Sequence, residues 1–238
     1  MATLIEAPEE IDGDEELFEP RPYKDLLPEI QEKAIEKWRD DRWNRGDFDA
    51  DFITEMLCDD LEYEFGIKVS TSTQKGYNGR THEHPDIEWD FSYCQGDGVS
   101  FKAVVDIDKV IARGVPGCEY YSPHAAKLRE LWQAVQMLEA VSMVDIDWSF
   151  GFDKKNDHAR HDAYAYWDSY EGVDEDAQKV LDALADTMQD VLNEIYDDAC
   201  HRMRKIGYSQ IEYQDSDEYI AEELDANDYL FDEDGEIV

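Results

Sequence analysis

Residues 173–198 read VDEDAQKVLDALADTMQDVLNEIYDD. Apolar residues recur in this stretch at intervals of three and four, which predicts the buried face of an amphipathic helix. They are Leu181, Leu184, Met188, Val191 and Ile195. On the other side, acids recur at intervals of four, at Asp182, Asp186, Asp190, Glu194 and Asp198. Like charges four residues apart on a helix repel by roughly 0.2–0.5 kcal/mol per pair, so this row of acids is unfavourable for the helix itself.

This helix is predicted to run from about Asp174 to Lys205, where Arg202, Arg204 and Lys205 suit its C-terminal end. Apolar spacing and stop signals predict four further helices. They cover 24–45, a stretch from Asp49 or Asp51 to Phe65 that Gly66 ends, 123–141, and a short segment near 217–225.

Alternating apolar and polar residues predict strands between the helices. DIEWDFSY (86–93) pairs with VSFKAVVDID (99–108) across the turn CQGDG (94–98), and VDIDWSFGF (144–152) pairs with HDAYAYWDSY (161–170). IKVSTSTQ (67–74) and GYSQIEYQ (207–214) are predicted as further strands, and KGYNGRTHEHP (75–85) as a loop.

This order of elements predicts an α+β fold, with a mostly antiparallel sheet packed by several helices. We expect flexible acidic termini. The predicted organisation is an acidic N-terminal arm at 1–22, a single α+β domain at 23–226 and an acidic C-terminal tail at 227–238.

The charge of the chain is its most unusual property. Asp and Glu number 60 against 22 Lys and Arg, which gives a net charge of −38 and a pI near 4.2. Such a field repels nucleic acid and anionic membranes, so we expect no direct nucleic-acid binding, no membrane binding and a basic protein as partner. General solubility or a halophilic source would account for the same composition.

The sequence also bears on the compartment. Cys58, Cys94, Cys118 and Cys200 lie far apart with no C-x-x-C motif, the N-terminus lacks a basic and apolar leader, and no apolar run approaches 18 residues. We therefore expect a soluble cytoplasmic protein with thiol cysteines, in an oligomeric state that stays open.

The spacing of the acids suggests what their surface does. On a helix, residues four apart lie about 6 Å apart along the axis, and alternate strand residues lie roughly 6.6 Å apart. Phosphates along one DNA strand recur at a comparable interval. We therefore predict that rows of carboxylates imitate phosphates toward a protein that grips nucleic acid. The predicted contact residues are Asp182, Asp186, Asp190, Glu194, Asp197 and Asp198, then Asp86, Glu88 and Asp90.

Metal binding is the main chemical alternative. His82 and His84 form H-x-H, and His158 and His161 form H-x-x-H beside Asp157 and Asp162, which are zinc-ligand types. A third ligand is not recognisable for either pair, so they are weak candidates, and no cofactor and no catalytic residue is predicted. The sequence leaves enzymatic activity open and inclines against it.

Two segments carry a resemblance to a known family. SYCQGDGVSF (92–101) holds a Q-G-D-G turn, and the stretch at 216–238 holds A-N-x-Y-x-F-x-E-D-G. Both resemble an uncharacterised family of acidic proteins from bacteriophages and prophages, and this resemblance implies a viral or mobile-element origin.

Together, charge and resemblance predict a phage-encoded inhibitor that mimics nucleic acid and blocks a host nucleic-acid-binding protein, for example a restriction or CRISPR factor. In that case it acts in the host cytoplasm. The alternatives are a metal-dependent enzyme that uses His82, His84, His158 and His161, and an antitoxin-like regulatory binding protein.

Overall fold

A computed structural model describes residues 19–45, 48–75, 80–93, 97–142, 146–154, 161–169 and 173–238. The α+β prediction is confirmed. The described residues form six α-helices and nine short strands, and every strand pair is antiparallel. The helices are α1 (Pro28–Arg45), α2 (Ala50–Asp60), α3 (Ile107–Ile111), α4 (Pro123–Ser142), α5 (Glu175–Gln214) and α6 (Asp217–Ala226). The strands are β1 (Arg21–Pro22), β2 (Thr71–Lys75), β3 (Thr81–Pro85), β4 (Ile87–Asp90), β5 (Gly98–Phe101), β6 (Ala103–Val104), β7 (Asp147–Lys154), β8 (His161–Asp168) and β9 (Leu230–Phe231).

The chain divides into two compact units. The terminal unit comprises Met1–Phe48 and Tyr213–Val238, and the central unit comprises Asp49–Glu212. The predicted arm, single domain and tail stay a prediction. Segments near both ends of the described chain contribute to one hydrophobic cluster of the terminal unit. That cluster contains Tyr23, Leu26, Ile30, Ala34, Ile220, Leu224 and Phe231.

The C-terminal segment 227–238 contains strand β9 and a turn. Strand β9 pairs with β1, and the Asp232 carboxylate accepts hydrogen bonds from the backbone N–H groups of Asp234 and Glu236, both at 2.9 Å. Lys33 and Lys37 of α1 pair with Asp234 and Glu236 at 3.3 and 2.8 Å. Asp232, Asp234 and Glu236 therefore have local partners.

Arg42 of α1 lies buried in the terminal unit and contacts α6. Its guanidinium donates to a Glu223 carboxylate oxygen at 2.5 Å and to the backbone carbonyl of Gln214 at 2.7 Å. The Tyr219 ring lies 5.4 Å from its central carbon. A buried cation needs such compensation, because its desolvation is costly.

The sheets of the central unit meet at one junction. β2 pairs with β3, β4 with β5, and β7 with both β6 and β8. The backbones of Ser70, Asp86 and Lys102 join these pairs through three hydrogen bonds of 2.7–2.8 Å. The hairpin predicted between 144–152 and 161–170 is confirmed as β7 and β8. The prediction of a loop over 75–85 is wrong for Thr81–Pro85, which forms β3.

Helix α5 supplies much of the core of the central unit. Its buried residues include Leu181, Met188, Leu192 and Met203, and each fully buried apolar side chain of this size contributes roughly 1.5–3 kcal/mol. Tyr196 stacks on Phe101 at a centroid distance of 4.4 Å. Its hydroxyl accepts from the Phe101 N–H at 2.8 Å and donates to the Phe101 carbonyl at 3.0 Å. This contact fixes α5 to the end of β5.

Helix α5 is longer than predicted, and the predicted strand at 207–214 is wrong. Gly207, Ile211 and Gln214 are buried at intervals of four and three, which continues the helical face. Gly207 allows Phe91 to approach closely, since a Cβ on Gly207 would lie 2.1 Å from the Phe91 ring. This glycine therefore serves packing inside the helix and does not end it.

Candidate functional site: two acidic surfaces

The first acidic surface is the carboxylate row of α5, which we define as Asp182, Asp186, Asp190, Glu194 and Asp198. All five side chains are exposed. Each step of four residues advances by about 6 Å and turns by about 40°, so the row runs about 24 Å and crosses the solvent side obliquely. Asp197 is also exposed. The row is rigid because the opposite face of the helix is buried.

The two end residues of the row have side-chain contacts, and the nearby Lys179 pairs with an acid outside the row. Trp167 donates its indole N–H to Asp182 at 3.1 Å, and the His124 Nε2 lies 3.7 Å from an Asp198 oxygen. Lys179 pairs with Glu175 at 3.0 Å, outside the row. Within the described structure, Asp186, Asp190 and Glu194 have no ion pair. The middle of the row therefore presents uncompensated negative charge.

Arg202 lies beyond the C-terminal end of the row and binds Glu64. Arg202 donates two hydrogen bonds of 2.8 Å to the carboxylate of Glu64, and this geometry is bidentate. The side chain of Glu64 is only 11% exposed. Arg202 therefore neutralises a largely buried acid and makes no ion pair with the row in the described structure.

The second acidic surface is the α2–β4 groove, a depression of about 620 Å³. Asp51, Glu55 and Asp59 of α2 line one side, and His84, Asp86 and Glu88 line the other, with Thr54, Cys58, Ser72, Pro85 and Ile87 between them. The described lining contains no Lys or Arg. Trp89 connects the two sides, because its indole N–H donates to the Thr54 hydroxyl at 2.9 Å.

The three predicted acids of β4 differ in their surroundings. Glu88 is exposed, whereas Asp86 and Asp90 are half-buried. Asp86 contributes its backbone to the strand junction, and Asp90 accepts from the backbone N–H of Ser92 at 3.0 Å. Asp86 and Glu88 line the groove and Asp90 does not.

The acids of α2 were missing from the predicted contact set. Asp51, Glu55 and Asp59 recur at intervals of four, which is the same signal that marks the row of α5. The periodicity of the sequence predicts that these three acids share one face of α2, but it does not predict which element lies beside that face. Only the packing of α2 beside β4 turns it into one wall of a groove.

Of the four candidate metal ligands, the described structure places the side chains of His82 and His84 alone. His82 and His84 lie exposed on β3 with their rings 6.3 Å apart. His158 lies outside the described residues, and His161 begins β8 with a side chain that is outside them as well. No group of three or more His, Cys, Asp or Glu side chains among the described residues is placed to hold a metal ion.

Cys58 and Cys200 are half-buried thiols, and Asp97 of the Q-G-D-G turn is held by hydrogen bonds. Burial raises the pKa of the Cys58 thiol to about 11 and that of Cys200 to about 12, so both stay protonated at neutral pH. In the turn, Cys94–Gly96 lie outside the described residues. Asp97 accepts from the hydroxyls of Ser92 and Tyr208, which hold it against the end of β4.

No helix in the described ranges is both long and apolar enough to cross a membrane.

Comparison with known proteins places the chain in a family. Residues 51–221 match the family described as "Domain of unknown function (DUF8835)". No curated protein matches the chain, and no solved structure matches it. The matched span contains both acidic surfaces and most of the central unit. Because it covers 171 of the 238 residues, the chain belongs to the DUF8835 family.

Proposed function

We propose that the chain is an inhibitor that binds the nucleic-acid-binding surface of a basic protein and excludes nucleic acid from it. The carboxylate row of α5 takes the place of phosphates against the Arg and Lys residues of that protein. The observation that carries this proposal is the exposure of five acids at successive four-residue steps along one rigid helix.

The charge pattern of the row supports mimicry over simple solubility. A solubilising surface intersperses both signs of charge. In the row, by contrast, Asp186, Asp190 and Glu194 have no cationic partner within the described residues. A helix that accepts about 0.2–0.5 kcal/mol of repulsion per pair gains from a ligand that relieves this repulsion.

The net charge of −38 supports a steered association. Complementary fields raise the rate of encounter with a basic protein, and salt lowers both this rate and the affinity. The α2–β4 groove adds further carboxylates in the same unit. The mechanism is competitive, because protein and nucleic acid need the same cations of the target.

A host protein is the target we favour. The resemblance of 92–101 and 216–238 to acidic phage and prophage proteins supports a viral source, in which case the partner is a factor of host defence or nucleic-acid metabolism. The site of action is then the host cytoplasm.

A lysate capture experiment with matched variants tests the proposal. The row variant D186N/D190N/E194Q removes three charges from α5, and the control D108N/E130Q/D147N removes three exposed charges from other parts of the central unit. We expect the wild type and the control to capture nucleic-acid-binding proteins at low salt, and duplex DNA to release them. The row variant should capture at least several-fold less.

Two results would contradict the proposal. One is a captured set that has no excess of nucleic-acid-binding proteins. The other is capture that duplex DNA leaves undiminished, because a competitor and the chain would then occupy different surfaces.

A further inference from the structure

A cluster of exposed aromatic side chains lies in the central unit, between the C-terminal end of α2 and the start of α4. We call it the tyrosine patch and define it as Tyr63, Tyr120 and Tyr121. Tyr63 is 58% exposed and Tyr121 49%, and Tyr120 is half-buried. The rings of Tyr63 and Tyr120 meet edge to face with centroids 5.1 Å apart. Exposed aromatic residues grouped in this way are typical of interaction surfaces.

The backbone beneath the patch is held in place. Arg113 donates to the Tyr63 carbonyl at 2.5 Å, and the Ser122 N–H donates to the Arg113 carbonyl at 2.9 Å. Gly66 ends the turn after α2 with a φ of 72°, and a Cβ there would lie 2.7 Å from the Lys109 carbonyl oxygen. The tyrosines are therefore presented by a fixed scaffold, which reduces the entropy lost on binding.

Two depressions flank the paired rings of Tyr63 and Tyr120. One, of about 460 Å³, is lined by Asp59, Asp60, Glu62, Tyr63 and Arg113. The other, of about 250 Å³, is lined by Glu64, Phe65, Tyr120, Tyr121, Ser122, Pro123, Asp198 and Arg202. Each depression thus places carboxylates beside an aromatic ring, together with one arginine of the chain itself, Arg113 in the larger and Arg202 in the smaller.

Some of these carboxylates are already paired, and others are not. Glu64 is held by Arg202, and Glu62 lies 3.3 Å from the Lys109 ammonium. Asp60 is half-buried and has no ion pair in the described structure. Burial, followed by repulsion from Glu64, raises the pKa of Asp60 above its usual value, and attraction to Arg202 opposes this rise. A further cation beside Asp60 would offset the repulsion from Glu64 and Asp59.

The patch is continuous with the carboxylate row. Asp198 is the last residue of the row and also lines the smaller depression, beside Tyr120 and Tyr121. A partner that follows the row along α5 therefore reaches the tyrosines at its end.

We propose that the tyrosine patch binds an arginine side chain of the basic partner, with the guanidinium plane against Tyr63 and its N–H groups directed to Asp59 and Asp60. A guanidinium stacks on aromatic rings and forms planar hydrogen bonds with carboxylates, whereas an ammonium is a compact, strongly hydrated charge. The patch thus distinguishes arginine-rich from lysine-rich surfaces. This inference rests on the proposed function and adds the side chain that the surface selects.

The test uses two fluorescent peptides, octa-arginine and octa-lysine, titrated with the full chain at 150 mM salt. We expect octa-arginine to bind about three- to tenfold more tightly. The variant Y63L/Y121L should reduce this preference to less than twofold. The control Y166L/Y213L changes two tyrosines with the same exposures, 58% and 49%, at other places and should retain the preference.

The outcomes separate this inference from the proposed function. If Y63L/Y121L keeps the arginine preference, or if the control loses it equally, the patch does not select arginine. The variant D186N/D190N/E194Q should weaken both peptides alike, and if it weakens neither, the proposed function fails. Sedimentation that shows a dimer in the wild type but not in Y63L/Y121L would assign the patch to a second copy of the chain and overturn the inference.

Discussion

Replacing Arg42 by Met tests how the terminal unit is held together. The side chain of Arg42 is 6% exposed and that of its partner Glu223 is 27% exposed. Removing one member of a buried ion pair costs roughly 3–5 kcal/mol. Because water reaches Glu223 and because the Trp38 indole donates to the same carboxylate oxygen at 3.4 Å, we expect a smaller loss of about 2–3 kcal/mol.

Hydrogen exchange of the amides in Pro28–Arg45, measured by mass spectrometry, gives a local reading of this loss. The second variant R42M/E223Q removes the charge that R42M leaves half-buried, and it should recover about 1 kcal/mol or more. Two results would contradict this role of Arg42 in stabilising the terminal unit. One is a change in the exchange free energy of less than about 0.5 kcal/mol in R42M. The other is an exchange free energy in R42M/E223Q that is lower still than in R42M.

Three further predictions follow from the charges and the packing. Raising the salt concentration from low to moderate should raise the melting temperature of the chain by calorimetry, because screening relieves carboxylate repulsion, and a flat response would contradict this. Backbone hydrogen bonds, chiefly from Glu236, lower the pKa of Asp232 below its ordinary value of 3.8. This group therefore stabilises the fold above pH 3.8 and loses that contribution as the pH falls through the lowered pKa; D232N should remove this part of the acid-unfolding curve, and an unchanged curve would refute it. Gly207→Ala places a Cβ 2.1 Å from the Phe91 ring and should cost about 1–3 kcal/mol in urea unfolding, whereas Ala at the exposed Ser209 should be nearly neutral.

The sequence predicts the elements in which local pattern and tertiary packing agree. The buried face of α5 follows the apolar spacing of 173–198, and the pairing of β7 with β8 follows the alternation in both strands. Asp49 was one of two expected caps, and its carboxylate accepts from the Phe52 N–H at 2.9 Å. Each of these signals is contained in a few neighbouring residues.

The wrong predictions have two causes, which are a missing local signal in β3 and a misleading local signal at 207–214. In β3, residues Thr81–His84 are exposed on both faces, so the segment shows no alternation. At 207–214, β-branched and aromatic residues favour a strand in isolation, whereas the packing of Ile211 and Gln214 requires a helix.

Contacts between distant parts of the chain form the C-terminal turn and the α2–β4 groove. Gly235 packs on the backbone of Ala34, about two hundred residues away, and the groove needs α2 beside β4. For the carboxylate row, by contrast, the sequence predicts both the residues and their exposure, because all of them lie on one helix.

The most direct test of the phosphate-mimic account is displacement of labelled duplex DNA from a captured basic partner, followed by fluorescence anisotropy. The account predicts that wild-type chain and D108N/E130Q/D147N release the DNA, and that D186N/D190N/E194Q needs about tenfold more protein, since each exposed charge pair is worth about 0.5 kcal/mol. A ternary complex of partner, DNA and chain, or equal displacement by the row variant, would contradict it.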